Sequence, residues 1–185
     1  CLARDSAARV RATLAEEIKR MDCVPRTVVR ALAHDLESIV AVPVLEYSPL
    51  LSDADLIEII AYSRVEERLN AIARRQPLSE NVSEVLVKSL DVSGIAALLV
   101  NSDARLREET LDRIAEQAEE IESWHTPLAL RVDLSARAIC RIASFVGAAM
   151  IELLSQREGL DQPTRSHLNR RLREKLSHGA EQANG

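Results

Sequence analysis

Aromatic side chains make up only 2% of this chain, and glycine occurs five times among 185 residues. With Tyr47, Tyr62, Trp124 and Phe145 as the aromatic residues, any core must be aliphatic. The glycines, Gly94, Gly147, Gly159, Gly179 and Gly185, are too scattered for a GxGxxG or Walker loop or a GxSxG nucleophile elbow. No phosphate-cradling cofactor site is therefore expected. The cysteines, Cys1, Cys23 and Cys140, are odd in number, far apart and without metal-ligand spacing, which reads as reduced cytoplasmic thiols. None of His34, His125, His167 and His178 has a second His or Cys at helical ligand spacing, so no zinc site is expected. Excess positive charge is missing as well: the net charge is −5, which argues against nonspecific polyanion binding. The longest apolar run, Ile142 to Ile151, is too short to cross a bilayer and is bracketed by Arg137, Arg141 and Glu152. No signal-peptide pattern is legible, and a first residue of Cys1 in place of Met reads as a molecule cut from a longer chain.

What the chain does have is a period. Val24, Leu51, Leu78, Leu106 and Leu134 recur at intervals of 27, 27, 28 and 28, each just ahead of a helical pattern. The residues that follow form i, i+3, i+4 stripes, such as Leu56, Ile59 and Ile60 or Ile139, Ile142 and Ala143. Ser52, Ser79 and Ser135 directly follow their leucines as N-caps; Arg107 breaks the series, so the fourth helix is expected to begin at Ser102 or Asp103. A fixed period with no strand pattern indicates an all-α protein of stacked helix pairs, a solenoid of about five units.

A second helix shows in each of the first three units, marked by Val42 and Leu45, Leu69 and Ile72, and Ala96 and Leu99. In the fourth unit Trp124 takes the first slot but Pro127 the other, and a proline there is expected to end or prevent the helix. Pro43 is expected to kink its own helix, and Ser48-Pro49 to end it. Ser135 to about Gln156 reads as one long helix. Its small residues, Ala143, Ser144, Gly147, Ala148 and Ala149, suit close approach by another helix of this chain or of a second copy. The expected organisation is one helical domain over 1–178 and a disordered tail over 179–185. Within the domain lie an N-terminal helix over 1–23, regular pairs over 24–100 and an irregular part over 101–178.

Searching this scaffold for chemistry yields no catalytic set. Asp35 is explained as a cap for the helix beginning near Leu36, with His34 closing the preceding one, and Asp91 repeats the cap. The acids from Glu108 to Glu122 read as a solvated helix face. Near the C-terminus Arg165, Arg170, Arg171, Arg173 and Lys175 accompany Leu168, Leu172 and Leu176 on a basic amphipathic helix. It serves as an end cap, as a docking element for a partner, or as a nucleic-acid contact; Leu160, 26 residues after Leu134, favours the cap.

Two stretches carry a resemblance. Leu32-Ala33-His34-Asp35, the run Val40 to Leu51 containing Pro43, Ser48 and Pro49, and Asp55 to Ile59 resemble a bacterial domain of unknown function found mainly in alphaproteobacteria. Ala71 to Arg75, Leu78-Ser79 and Val82-Ser83 resemble it too, so the similarity runs roughly from Val24 to Leu154. It implies a cytoplasmic bacterial protein with HEAT-like repeats and no catalytic residues to carry over. In HEAT-like arrays the second helices line the concave side, which makes Glu37, Arg68, Arg74 and Arg75 the candidate partner surface. The leading expectation is a noncatalytic interaction or scaffold module with an unknown protein partner and no cofactor. A self-associating regulatory domain, forming a homodimer, is one alternative. Another is a HEAT-like nucleic-acid-binding or DNA-glycosylase-like protein, opposed by the negative charge and the few aromatics.

Overall fold

The computed structural model describes the backbone of residues 2–182 and the side chains of residues 6–177. Among the described residues the chain is all-helical and forms no strand; a single parallel bridge joins Leu78 to Ala104. It separates into two compact units, Cys1–Leu106 and Arg107–Gly185.

The first unit contains α1 (Leu2–Ile18), α2 (Arg26–Ala33), α3 (Ser38–Tyr47), α4 (Asp53–Tyr62), α5 (Glu66–Ala73), α6 (Glu80–Val87) and α7 (Val92–Val100). The second contains α8 (Glu108–Gln117), a 3-10 turn (Ala118–Glu120), α9 (Glu122–Leu130), α10 (Ala136–Phe145), α11 (Ala148–Ser155) and α12 (Gln162–Gln182). The first helix of every unit of the period lies where the leucine-type marker places it. Burial shows why: Asp55, Leu56, Ile59 and Ile60 in α4 are matched by Thr110, Leu111, Ile114 and Ala115 in α8, and by Ala138, Ile139, Ile142 and Ala143 in α10. Four residues at i, i+1, i+4 and i+5 make a stripe wide enough to bury one helix face.

Local capping starts these helices. The hydroxyls of Ser52, Ser79 and Ser135 accept from the amides of Asp55, Val82 and Ala138, and the Asp91 carboxylate accepts from Gly94. At Ser52 the bond is reciprocal, because Asp55 accepts from the Ser52 amide at 2.9 Å.

In the first unit the second helices pack in series, α1 on α3, α3 on α5 and α5 on α7. Arg11 meets Asp35 just before α3 and Arg20 lies over the Tyr47 ring at its end, so α1 runs parallel to α3. Arg68 reaches the Asp35 carbonyl and Arg74 reaches Glu46, which sets α5 parallel to α3 in the same register. This sandwiching explains why α3 is apolar all round, with Val40, Ala41, Pro43, Val44 and Leu45 buried. Across the first helices, Arg26 and Arg30 of α2 converge on the buried Asp55 of α4 at 3.3 and 3.0 Å. In the second unit α10 packs on α8 and α12, and α11 on α9 and α12. There Ser135, Arg137 and Arg141 engage Asp112, Glu116 and Glu119 at 2.5, 2.5 and 2.7 Å.

Several expectations are corrected. α8 does not begin at Ser102 or Asp103: its N-cap is Arg107, and Asn101 to Ala104 turn so that Leu78 and Ala104 can pair. Pro127 does not abolish the second helix of its unit, since α9 continues to Leu130 with Trp124, Leu128 and Ala129 buried. Proline removes one helical bond there, and the buried apolar face outweighs it. The long helix over 135–156 is two helices, broken at Val146 and Gly147, the C-cap of α10 and the N-cap of α11. A Cβ on Gly147 would meet nothing within 4 Å, so no helix among the described residues approaches closely at that position. Asp35 is not the N-cap of α3, which is Glu37; its carboxylate accepts from the Glu37 amide and from Arg11 instead. α12 is described as far as Gln182, and residues 183–185 lie outside the described residues.

Candidate interaction surface

Side by side in one layer, α3 and α5 leave an open groove of about 730 Å³, lined by Ser38, Ile39, Val42, Glu67, Asn70 and Arg74. Ile39 is 62% exposed, and Leu36 beside it 83%. The groove exists because α3 turns its buried residues toward α1, α2 and α5 and has few polar residues left for its outer face. At the far end of α3 a second recess of about 700 Å³ is lined by Arg20, Glu46, Tyr47, Pro49, Arg74 and Gln76. Arg74 belongs to both.

The electrostatics differ along this face. Lys19 and Arg20 stand 4.8 and 4.6 Å from the Tyr47 ring centroid, a cation–π arrangement that holds positive charge at the C-terminal end of α3. Burial pushes the Glu46 carboxyl up, but hydrogen bonds from Arg74 and Tyr47 outweigh it and hold the group below its ordinary range. The Tyr47 phenol is raised by its bond to Glu46. At the other end the guanidinium of Arg11 donates to both carboxylate oxygens of Asp35, at 2.6 and 3.1 Å, and holds that carboxyl low.

The four residues singled out from the period are thus brought to one layer but not to one surface. Glu37 is exposed at the N-cap of α3. Arg68 is half-buried, with its Nη2 on the Asp35 carbonyl. Arg74 is exposed and paired with Glu46 at 2.9 Å. Arg75 is only 8% exposed: Nη1 donates to the Leu45 carbonyl at 2.5 Å and Nη2 to the Ser48 carbonyl at 2.8 Å. Arg75 therefore lies inside the layer, closing the end of α3, and is no part of an exposed face. Leu36 and Ile39 are exposed aliphatic residues that no polar or periodic signal in the sequence separates from core positions.

The basic helix α12 divides in the same way. Thr164 and Leu168 are buried, consistent with its packing on α10 and α11. Arg171 donates to the Ser144 carbonyl at 2.6 Å and to Glu174 at 2.8 Å, so it works as a packing residue. Arg170 contacts His167 and Glu174, Lys175 is half-buried, and Arg165 and Arg173 are exposed. No group of three His, Cys, Asp or Glu able to hold a metal ion occurs among the described residues. No helix of the described residues is long and apolar enough to cross a membrane.

Twelve α-helices among the described residues, with side chains that donate to helix-end carbonyls 28 to 30 residues earlier, define an all-helical protein. The chain belongs to DUF2336, a family described as an uncharacterised protein conserved in bacteria, whose pattern it matches over residues 40–183. No curated protein and no solved structure matches it.

Proposed function

We propose that the chain is a noncatalytic protein-interaction module of a bacterial cytoplasm, a HEAT-like stack whose second helices provide the recognition face. The observation that carries this reading is the open groove over α3 and α5, whose apolar lining is Val42 and Ile39, the latter 62% exposed. Apolar side chains gathered at a concave surface mark binding sites more often than solitary exposed leucines do. Membership in a bacterial family supports the bacterial setting.

The test uses the tagged full-length protein and an Ile39→Glu variant in the native bacterium. A change at so exposed a position should leave thermal stability within about 0.5 kcal/mol of wild type. Proteins retained by the wild type and lost from the variant support the reading; an unchanged set refutes the groove as its site. Light scattering of the two purified chains then decides whether the retained partner is a second copy.

A further inference from the structure

α8, α10 and α12 follow the markers Leu106, Leu134 and Leu160, and α10 packs between the other two. Each contact is made from the same places. On α8, Asp112, Glu116 and Glu119 stand 6, 10 and 13 residues after Leu106, and they meet Ser135, Arg137 and Arg141 at the cap and along α10. On α10 the residues 6 and 10 after Leu134 are Cys140 and Ser144. Cys140 lies against Thr164, and the Ser144 carbonyl accepts from Arg171, both on α12. The places 6, 10 and 13 after the marker therefore face the next helix of the layer.

On α12 those three places hold Ser166, Arg170 and Arg173, and all three are exposed. Arg170 touches His167 and, at 4.0 Å, Glu174. Arg173 makes no ion pair among the described residues, whereas Arg137 and Arg141 on α10 are each held by a glutamate, at 2.5 and 2.7 Å. From Asp161 to Ser177 the bases are Arg165, Arg170, Arg171, Arg173 and Lys175, and the acids are Asp161 and Glu174. The elements beside α12 leave that balance positive: α10 adds Arg137 and Arg141, α11 adds Glu152, and the intervening loop adds Arg157 and Glu158. An arginine facing forward onto an acid is already used in the first unit, where Arg30 of α2 meets Glu58 of α4 at 3.3 Å.

We propose that the outer edge of α12 docks an acidic helix of a partner protein, in the register by which α10 docks on α8 and with the charges exchanged. Carried over, that register sets the N-cap of the partner helix at Ser166 and carboxylates two and six residues after the cap at Arg170 and Arg173. No helix from α2 to α11 has acids at both of those places, so a second copy of this chain does not supply it. α12 has no aromatic residue on which a nucleic-acid base could stack, and its buried Leu168 is spent on the chain's own core, not left for a lipid surface. The edge belongs to the second unit alone and is a binding surface additional to the groove over α3 and α5.

The test is fluorescence anisotropy of the full chain with alanine-rich helical peptides of about 20 residues. One carries serine at its N-cap and glutamates two and six residues later; a second has lysines in place of the glutamates. A third moves both glutamates one position along, which turns them about 100° from the docking face. The first should bind saturably, at least about ten-fold tighter than either control, and weaken as salt rises. Arg170→Glu with Arg173→Glu should lose at least about ten-fold in affinity for it and gain affinity for the lysine peptide; Arg165→Glu, off the row, should change affinity by less than about three-fold. Circular dichroism of the variants confirms that the helices are retained. Absence of saturable binding, equal binding of the displaced glutamates, full affinity in the folded double variant, or tighter binding of a short DNA duplex would each overturn the proposal. None of these outcomes bears on the groove over α3 and α5, which Ile39→Glu tests separately.

Discussion

Replacing Arg75 with methionine should destabilise the first unit far more than the same change at its chain neighbour, Arg74. Arg75 is 8% exposed, and its two bonds end on the carbonyls of Leu45 and Ser48, in the last turn and at the C-cap of α3. These carbonyls have no partner within the helix and form the negative end of its dipole, where a cation is favourable. Each bond to a charged donor contributes about 1.5–3 kcal/mol net, so two together contribute about 3–6 kcal/mol. Burial pushes the Arg75 guanidinium below its usual value, a sign that desolvation costs part of this gain. Methionine keeps the aliphatic stem and removes the desolvation cost, which leaves a loss of about 2–4 kcal/mol. The Arg74 side chain is 46% exposed and forms a surface pair with Glu46, so Arg74→Met should cost at most about 1 kcal/mol. Urea unfolding followed by far-UV circular dichroism measures both, provided the slope m is unchanged. A difference between the two variants of less than about 0.5 kcal/mol would refute the closing role of Arg75.

Acid should destabilise the protein through Asp35, Asp55 and Asp91, whose carboxyls all lie below their ordinary values. At Asp35 the cause is the hydrogen bond from Arg11; at Asp55 burial pushes the carboxyl up, and the Ser52 bonds together with Arg30 and Arg26 outweigh it. At Asp91 the cause is the Gly94 amide. Each binds a proton less readily folded than unfolded, so its stabilisation is complete above the ordinary carboxylate range and drains as pH falls through the folded value. The urea midpoint should stay flat from neutral pH to about 5 and fall below about 4, less steeply in Asp55→Asn; an equal fall in that variant would remove Asp55 from the account. At Gly94 an added Cβ would lie 2.5 Å from Leu90 Cδ2 and 2.7 Å from Asn70 Oδ1, both ends of side chains that can swing away. Gly94→Ala should therefore be close to neutral in thermal unfolding, its strain offset by about 1 kcal/mol of helix preference, while Gly94→Val should lose about 1–3 kcal/mol; equal losses would refute the tight α5–α7 contact.

The starts of α4, α6 and α10 were legible because two independent signals coincide at each: a serine cap and a stripe of burial, as at Ser135 with Ala138, Ile139, Ile142 and Ala143. Where one signal is missing, reading from sequence fails. Residues 142–151 are apolar apart from Ser144, so no periodicity marks the break at Val146-Gly147. The two internal prolines make the point more sharply. Pro43 and Pro127 are each the sixth residue of a second helix, and both helices continue past them, yet the flanking residues suggested a kink for one and a break for the other. Register in the repeat was the better guide than local propensity, because burial on both flanks holds the helix together around one missing bond. Arg74 and Arg75 could not be told apart from sequence at all: adjacent residues at a helix end differ by about 100° in direction, and only packing decides which of them points inward.

The fate of Arg75 shows how side chains stitch successive second helices together at their ends. At the C-terminal end, Arg75 reaches back to Leu45 and Ser48, Asn101 reaches back to the carbonyls of Ala73 and Arg75 at 2.8 and 2.7 Å, and in the second unit Arg157 reaches back to the carbonyl of Arg131. Each link spans 26 to 30 residues, so a loop lengthened by even one residue would misplace the donor relative to its carbonyl. This constraint accounts for the constancy of the period better than core packing alone, since an aliphatic core tolerates shifts that a buried guanidinium does not. Polar groups at that end are thereby occupied within the chain. At the N-terminal end Arg68 donates to the Asp35 carbonyl and Ser93 to the Glu66 carboxylate, 33 and 27 residues back, so side-chain links join successive second helices at both ends.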